Sequence, residues 1–261
     1  MPEKMREASP LAFWSEQEGR LLRLRLNRPK ANVIDKDMIA ALEQALAEHC
    51  TKPHLLGVIL DHAGPHFSFG ASIQEHFPAE APAMLASLHG LLKRMIAYPC
   101  PILVVVRGQC LGGGLEVALA GNLIFASADA MLGQPEINLA VFAPAASCLL
   151  PERLARPVAE DILFSGRSVT AEQALQMGLI DNLSDDPEAA ALAYFGKHLA
   201  KHSGAALRFA VRAARDPYVE RVSADLDRVE RLCIDGLMKT KDAVEGLTAF
   251  VEKRNPIWQH Q

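Results

Sequence analysis

Paired cysteines are missing from this chain. The five it has, Cys50, Cys100, Cys110, Cys148 and Cys233, are scattered, odd in number and nowhere spaced as CxxC. That argues against a disulfide framework and against a zinc site, and suits a reducing cytoplasm. An excess of charge of one sign is missing too. The formal net charge is −4, which implies no broad nucleic-acid surface. No apolar run approaches the roughly 20 residues of a membrane span. The charged start, Met1-Pro2-Glu3-Lys4-Met5-Arg6-Glu7, is not followed by an apolar stretch of signal-peptide length. No internal repeat or low-complexity segment is apparent. These absences predict a globular, cytoplasmic protein that binds neither membrane nor nucleic acid.

What is present is ample apolar material. Half of the 261 residues are hydrophobic, enough for one large domain or one domain with a smaller appendage. Leu11 to Gln17 and Leu21 to Leu26 read as strands around a Glu18-Gly19 turn. In the second, Leu22, Leu24 and Leu26 alternate with Arg23 and Arg25, the period-two mark of a half-buried strand. Asp35 can cap a helix running to about His49. Leu55 to Leu60 reads as a short buried strand, and a helix from about Pro82 to Ala97 follows a long loop. Leu123 to Ala126 and Ala130 to Leu132 are further short strands, so this part is α/β. After Pro144 the reading is helix after helix: Ala146–Leu154, Pro157–Ser165, Thr170–Gln176, Asp186–Lys201, Ala205–Arg215, Tyr218–Leu237 and Lys241–Arg254.

The stretch carrying chemistry is Arg107-Gly108-Gln109-Cys110-Leu111-Gly112-Gly113-Gly114-Leu115-Glu116. The β-branched run Ile102 to Val106 enters it and an Ala-rich segment leaves it, which reads as strand, glycine turn, helix. Glycines let a ligand atom approach the backbone, and the free N–H groups of a helix start favour negative charge. With Glu116 beside them, they suggest an oxyanion-stabilising turn with an acid or base next to it. Two bland readings stay open: a tight connection, and a first-turn Glu serving the helix dipole. Nucleotide readings fit worse. No Lys-Ser/Thr follows the glycines, and Val117 stands where a dinucleotide fold needs its last glycine. A nucleophile elbow at Ser68 is excluded because His66 stands where its glycine belongs.

Four blocks in order, Asn27-Arg28-Pro29-Lys30-Ala31, Phe67-Ser68-Phe69-Gly70-Ala71, Gly112-Gly113-Gly114-Leu115-Glu116 and Gly133-Gln134-Pro135-Glu136, resemble the enoyl-CoA hydratase/isomerase (crotonase) superfamily. The resemblance covers nearly the whole chain, to Phe250-Val251-Glu252-Lys253-Arg254. It implies a crotonase-like spiral of ββα units over residues 1–195 and a helical region, 196–261, used in trimer contacts and often assembled as a dimer of trimers. It implies an acyl-CoA thioester as substrate and no separate cofactor or metal. Matched by motif position, the amides of Ala71 and Gly113 form an oxyanion hole, and Glu116 and Glu136 stand at the two catalytic glutamate positions. Lys30, Ala31, Val33, Ser68, Gly70, Ser72, Ile73, Gly112, Phe142, Phe250 and Lys253 stand at substrate- or CoA-binding positions, with Lys253 at one that typically reaches a neighbouring subunit's ligand.

Keeping both carboxylates argues for hydration, in which one takes a proton from water and the other supplies one to carbon. Ser72 stands where Asp is common, and Asn138-Leu139-Ala140-Val141-Phe142-Ala143-Pro144-Ala145-Ala146-Ser147 replaces a glycine-rich segment. With Gln74-Glu75-His76-Phe77-Pro78, this is similar to hydratases of cyclohexa-1,5-diene-1-carbonyl-CoA, which form 6-hydroxycyclohex-1-ene-1-carbonyl-CoA. A straight-chain enoyl-CoA hydratase, an enoyl-CoA isomerase and a non-catalytic crotonase-fold binding protein are the alternatives. His62, His66 and His76 flank the oxyanion loop, as liners of the CoA entrance or as exposed loop residues. His198 and His202, four apart on a helix, are read as surface residues because no HExxH accompanies them.

Overall fold

The computed structural model describes residues 9–261. Strands β1 (Leu11–Glu16) and β2 (Leu21–Leu26) form an antiparallel hairpin, with Leu11 opposite Leu26 and Glu16 opposite Leu21. Helix α1 (Lys36–His49) starts where the Asp35 carboxylate accepts the Met38 N–H at 2.9 Å, as its capping role predicts. There follow β3 (Gly57–His62), α2 (Ala81–Ile96), β4 (Ile102–Val106), β5 (Gln109–Leu111), α3 (Gly113–Leu119), β6 (Leu123–Ala126) and β7 (Met131–Gly133). The remainder is α4 (Pro144–Arg153), α5 (Arg156–Ser165), β8 (Ser168–Thr170), α6 (Ala171–Met177), β9 (Asn182–Leu183), α7 (Pro187–Tyr194), α8 (Gly204–Asp235) and α9 (Lys241–Glu252).

Six strands form one sheet in the order β1-β2-β3-β4-β6-β9, parallel from β2 onward, and β5, β7 and β8 form a second sheet of three. The main sheet is covered on both faces, which is how a parallel sheet satisfies its near-continuous apolar strands. Leu22, Leu24, Val58, Leu60 and Val104 face the large core with α1 and α2. Leu21, Ile59, Leu103, Val105 and Phe125 face Ala191, Phe195 and Leu199.

Three expectations are corrected here. Strand β2 is not half-buried, because Arg23 is only 2% exposed. Its guanidinium lies 2.5 Å from both Asp61 and Glu188 and over the Trp14 ring. These partners meet the requirement that a charge removed from water be paired. The break expected between Arg215 and Tyr218 is absent too. Helix α8 runs unbroken for 32 residues with Pro217 inside it. Proline removes one helical donor, but Tyr218, Val219, Val222, Leu226 and Val229 pack on the core on the far side of it and hold the helix together. Strand β3 also lies two residues later than expected, since the Leu56 N–H bonds the Arg20 carbonyl before the strand begins. The short β5, β8 and β9 have too few residues to show a period.

The C-terminal helices fold back on their own chain. Cys233, Met238, Ala243 and Leu247 pack with Ala81, Met84, Leu85 and Val141, and Gly246 sits so close to the Leu139 carbonyl that a side chain there would collide with it. That packing roofs a cavity. Among the described residues, no helix is long and apolar enough to cross a membrane.

Candidate active site

The site begins with a loop zipped onto a strand. The Phe67 N–H bonds the Arg107 carbonyl, the Ser68 N–H bonds that of Gln109, and the Leu111 N–H bonds that of Ser68, all at 3.0 Å. Histidines fasten the same seam. His62 Nε2 accepts the Arg107 N–H and His66 Nδ1 accepts the Gln109 N–H, each at 3.1 Å. His62 is buried, neither exposed nor at an entrance, and burial pushes its pKa down to about 4, so its ring stays a neutral acceptor. Buried Asn32 donates to the Ala63 and His66 carbonyls and accepts the Arg28 N–H, tying in the loop before α1.

This register brings Ala71 against Gly113. A Cβ on Gly113 would lie 3.1 Å from the Ala71 nitrogen, and among the described residues neither amide has a hydrogen-bond acceptor within the chain. Two free N–H groups side by side are what an oxyanion needs. Gly112 carries φ +50 and ψ −130, and a Cβ there would be 2.6 Å from Glu136 Oε1. Both the backbone turn and the approach of the carboxylate require glycine. Ser68 is fully buried, its hydroxyl accepting the Gly70 N–H at 3.0 Å, and a side chain on Gly114 would strike it.

Two carboxylates meet at this point. Glu116, in α3, is 3% exposed, and its Oε1 accepts the Ala146 N–H at 2.8 Å. Burial raises its pKa to about 7, against the pull of the Ala146 and Ala145 amides. Glu136 follows β7, and the buried Gln134 amide reaches both of its oxygens at 3.1 Å. Burial, and then the charge of Glu116, raise its pKa to about 8. Neighbouring carboxyls that resist joint ionisation share a proton near neutrality.

Glu116 therefore opposes folding when ionised. Its proton is held more tightly folded than unfolded, so stability falls as pH rises from about 4.5 and the loss is complete above about 7. Glu116→Gln keeps the Ala146 hydrogen bond. It is expected to be about 3 kcal/mol more stable than the parent at about pH 9 and no more stable at about pH 4, as urea titrations at the two pH values would read. Equal stabilities at both would contradict the assignment.

The cavity around the pair measures about 590 Å³. Of the residues singled out from sequence, Gly70, Ala71, Ile73, Gly112, Gly113, Glu116, Glu136, Phe142 and Phe250 line it, whereas Lys30, Ala31, Val33, Ser68, Ser72 and Lys253 do not. Its other walls come from α2 (Met84, Leu85, Leu88) and from Met238, Ala249 and Arg254 near the C-terminus. Sequence reading did not find those, because apolar helix positions carry no mark of which void they face. Nor did it find Gln134, although that residue sits two before Glu136. Phe250 and Arg254 roof their own chain's cavity. His198 and His202 are exposed, and among the described residues no cluster of His, Cys, Asp and Glu could hold a metal.

A crotonase fold with paired carboxyls beside two free amides defines a class, and the chain belongs to the enoyl-CoA hydratase/isomerase family, whose model matches residues 16–261. It is 59% identical over 97% of its length to the cyclohexa-1,5-dienecarbonyl-CoA hydratase of Thauera aromatica, covering 98% of that protein. It is 31% identical to a carnitinyl-CoA dehydratase of Salmonella arizonae, over 93% of this chain and 96% of the relative. Among solved structures, an enoyl-CoA hydratase/isomerase from Pseudoalteromonas atlantica superposes with a TM-score of 0.83 at 26% identity, covering 95% of this chain and 99% of that one.

Proposed function

We propose that this protein is a hydro-lyase that adds water to cyclohexa-1,5-diene-1-carbonyl-CoA and yields 6-hydroxycyclohex-1-ene-1-carbonyl-CoA. The observation that carries the chemistry is the pair of raised carboxyls beside two free amides in an apolar cavity. The ring specificity is supported by the likeness to the Thauera enzyme.

In this reading the Ala71 and Gly113 N–H groups hold the thioester oxygen. The Ala146 and Ala145 amides favour ionised Glu116, which makes it the base that holds and activates water. Glu136, whose proton the neighbouring charge of Glu116 helps to hold, is the acid. Hydroxide adds to the β carbon, and the electron pair moves onto the carbonyl oxygen and into the second double bond. The resulting dienolate extends to the far end of that bond, where Glu136 delivers the proton. No redox step or separate cofactor is needed. Phe142 and Pro144 in the cavity wall shape it for a ring.

The CoA portion leaves the cavity past Phe69, whose N–H bonds the Ala31 carbonyl at 2.9 Å, toward Lys30, Ala31 and Val33, with Ser72 and Lys253 as further CoA contacts. Residues 1–195 are the core and 196–261 the region through which chains assemble as a trimer or dimer of trimers, a mass to be checked by sedimentation.

Steady-state comparison with crotonyl-CoA tests the substrate assignment. A kcat/KM at least tenfold higher for the cyclic diene is expected, in line with what pocket shape alone discriminates (about 10–200-fold). A preference for crotonyl-CoA would return the protein to the straight-chain hydratases.

A further inference from the structure

Apart from the two carboxyls, the acyl cavity holds little that is polar. Asn138 and Arg254 line it but are exposed, and Arg254 is spent on ion pairs with Glu245 and Glu252. His76 is different. It lies in the single turn after the oxyanion loop, lines the cavity beside Ile73, Met84, Leu85 and Leu88, and is half-buried.

Its tautomer follows from one contact. Nδ1 is 2.7 Å from the Ser72 carbonyl oxygen, and a carbonyl only accepts, so Nδ1 carries the hydrogen. Burial lowers the pKa, which keeps the ring neutral and leaves Nε2 as a bare acceptor. Among the described residues Nε2 has no donor, and it is not among the polar atoms sealed from solvent. An acceptor is thus fixed in the wall of the cavity that Ala71 also lines.

We infer that His76 is a specificity-determining residue whose Nε2 accepts a hydrogen bond from the hydroxyl that hydration places on the acyl group. The unsaturated substrate has no donor to offer it, so the contact distinguishes the hydrated from the dehydrated ligand. This rests on the hydratase reading above. A site built to pair a ligand hydroxyl discriminates against the analogue lacking it, because its own polar group is then left unmatched.

The test uses Glu136→Gln protein, so that turnover of bound ligands is slowed. Calorimetry compares 6-hydroxycyclohex-1-ene-1-carbonyl-CoA with cyclohex-1-ene-1-carbonyl-CoA, which differ by the one hydroxyl. With His76 present, the hydroxylated ligand is expected to bind about tenfold tighter. Adding His76→Asn, whose amide reproduces the donor at Nδ1 but not the acceptor at Nε2, is expected to bring the ratio near one. His76→Gln, which places an amide near Nε2, is expected to restore most of it.

A ratio unchanged by His76→Asn, or an equal weakening of both ligands, would overturn the inference and make His76 a packing residue. If neither cyclic ligand binds, the ring reading fails. The pair 3-hydroxybutyryl-CoA and butyryl-CoA then decides the His76 inference by the same ratio.

Discussion

Converting either carboxyl to its amide is expected to lower kcat by about 10²–10⁴-fold, the range that positioned general acids and bases contribute. Glu136→Gln removes the proton that the dienolate must receive. Glu116→Gln preserves the hydrogen bond from Ala146 but removes the site that accepts water's proton. Both amides are nearly isosteric, so the loss belongs to proton transfer and not to packing. Because the two groups serve one addition, the double variant is expected to be scarcely worse than the poorer single variant. Steady-state hydration rates of the three proteins check this. A single variant retaining more than about a tenth of the parent's kcat would remove that residue from the mechanism.

Gly112→Ala is expected to cost about as much activity without removing a reacting group. A methyl there meets Glu136 Oε1 at 2.6 Å and must adopt φ +50 with ψ −130, a conformation open to glycine alone. The strain is of the order of 1–3 kcal/mol. Its relief would shift either the Gly113 amide or the acid, and small displacements at a reacting centre cost about 10²-fold. The expected signature is a fall in kcat of that order together with a lower melting temperature. Full activity in Gly112→Ala would mean that the turn and Glu136 are not packed as described.

How much of this was legible beforehand depends on how local each signal is. Asp35 announced its helix because a cap acts within one turn, β2 announced itself by alternation and β4 by a β-branched run. Glu116 and Glu136 were found from ordered blocks, since a glycine turn followed by a carboxylate alone reads equally well as a plain connection. Arg23 misled because its burial depends on Asp61 and Glu188, 38 and 165 residues away. Pro217 misled because the penalty it carries is local, whereas the packing that overrides it is tertiary. The roof of the cavity was illegible for the same reason. Nothing in the sequence around Met238 or Arg254 says that the last helix closes over its own chain.

The position of the new hydrogen tests the central claim most directly. In heavy water, with cyclohexa-1,5-diene-1-carbonyl-CoA as substrate, the product is expected to gain one equivalent of water. Nuclear magnetic resonance should find its carbon-bound deuterium at the far end of the former diene, across the ring from the hydroxylated carbon. Deuterium next to the thioester carbonyl would mean that protonation stops at the α carbon, as in simple enoyl-CoA hydration. Deuterium exchange without gain of water would make the protein an isomerase and contradict the account.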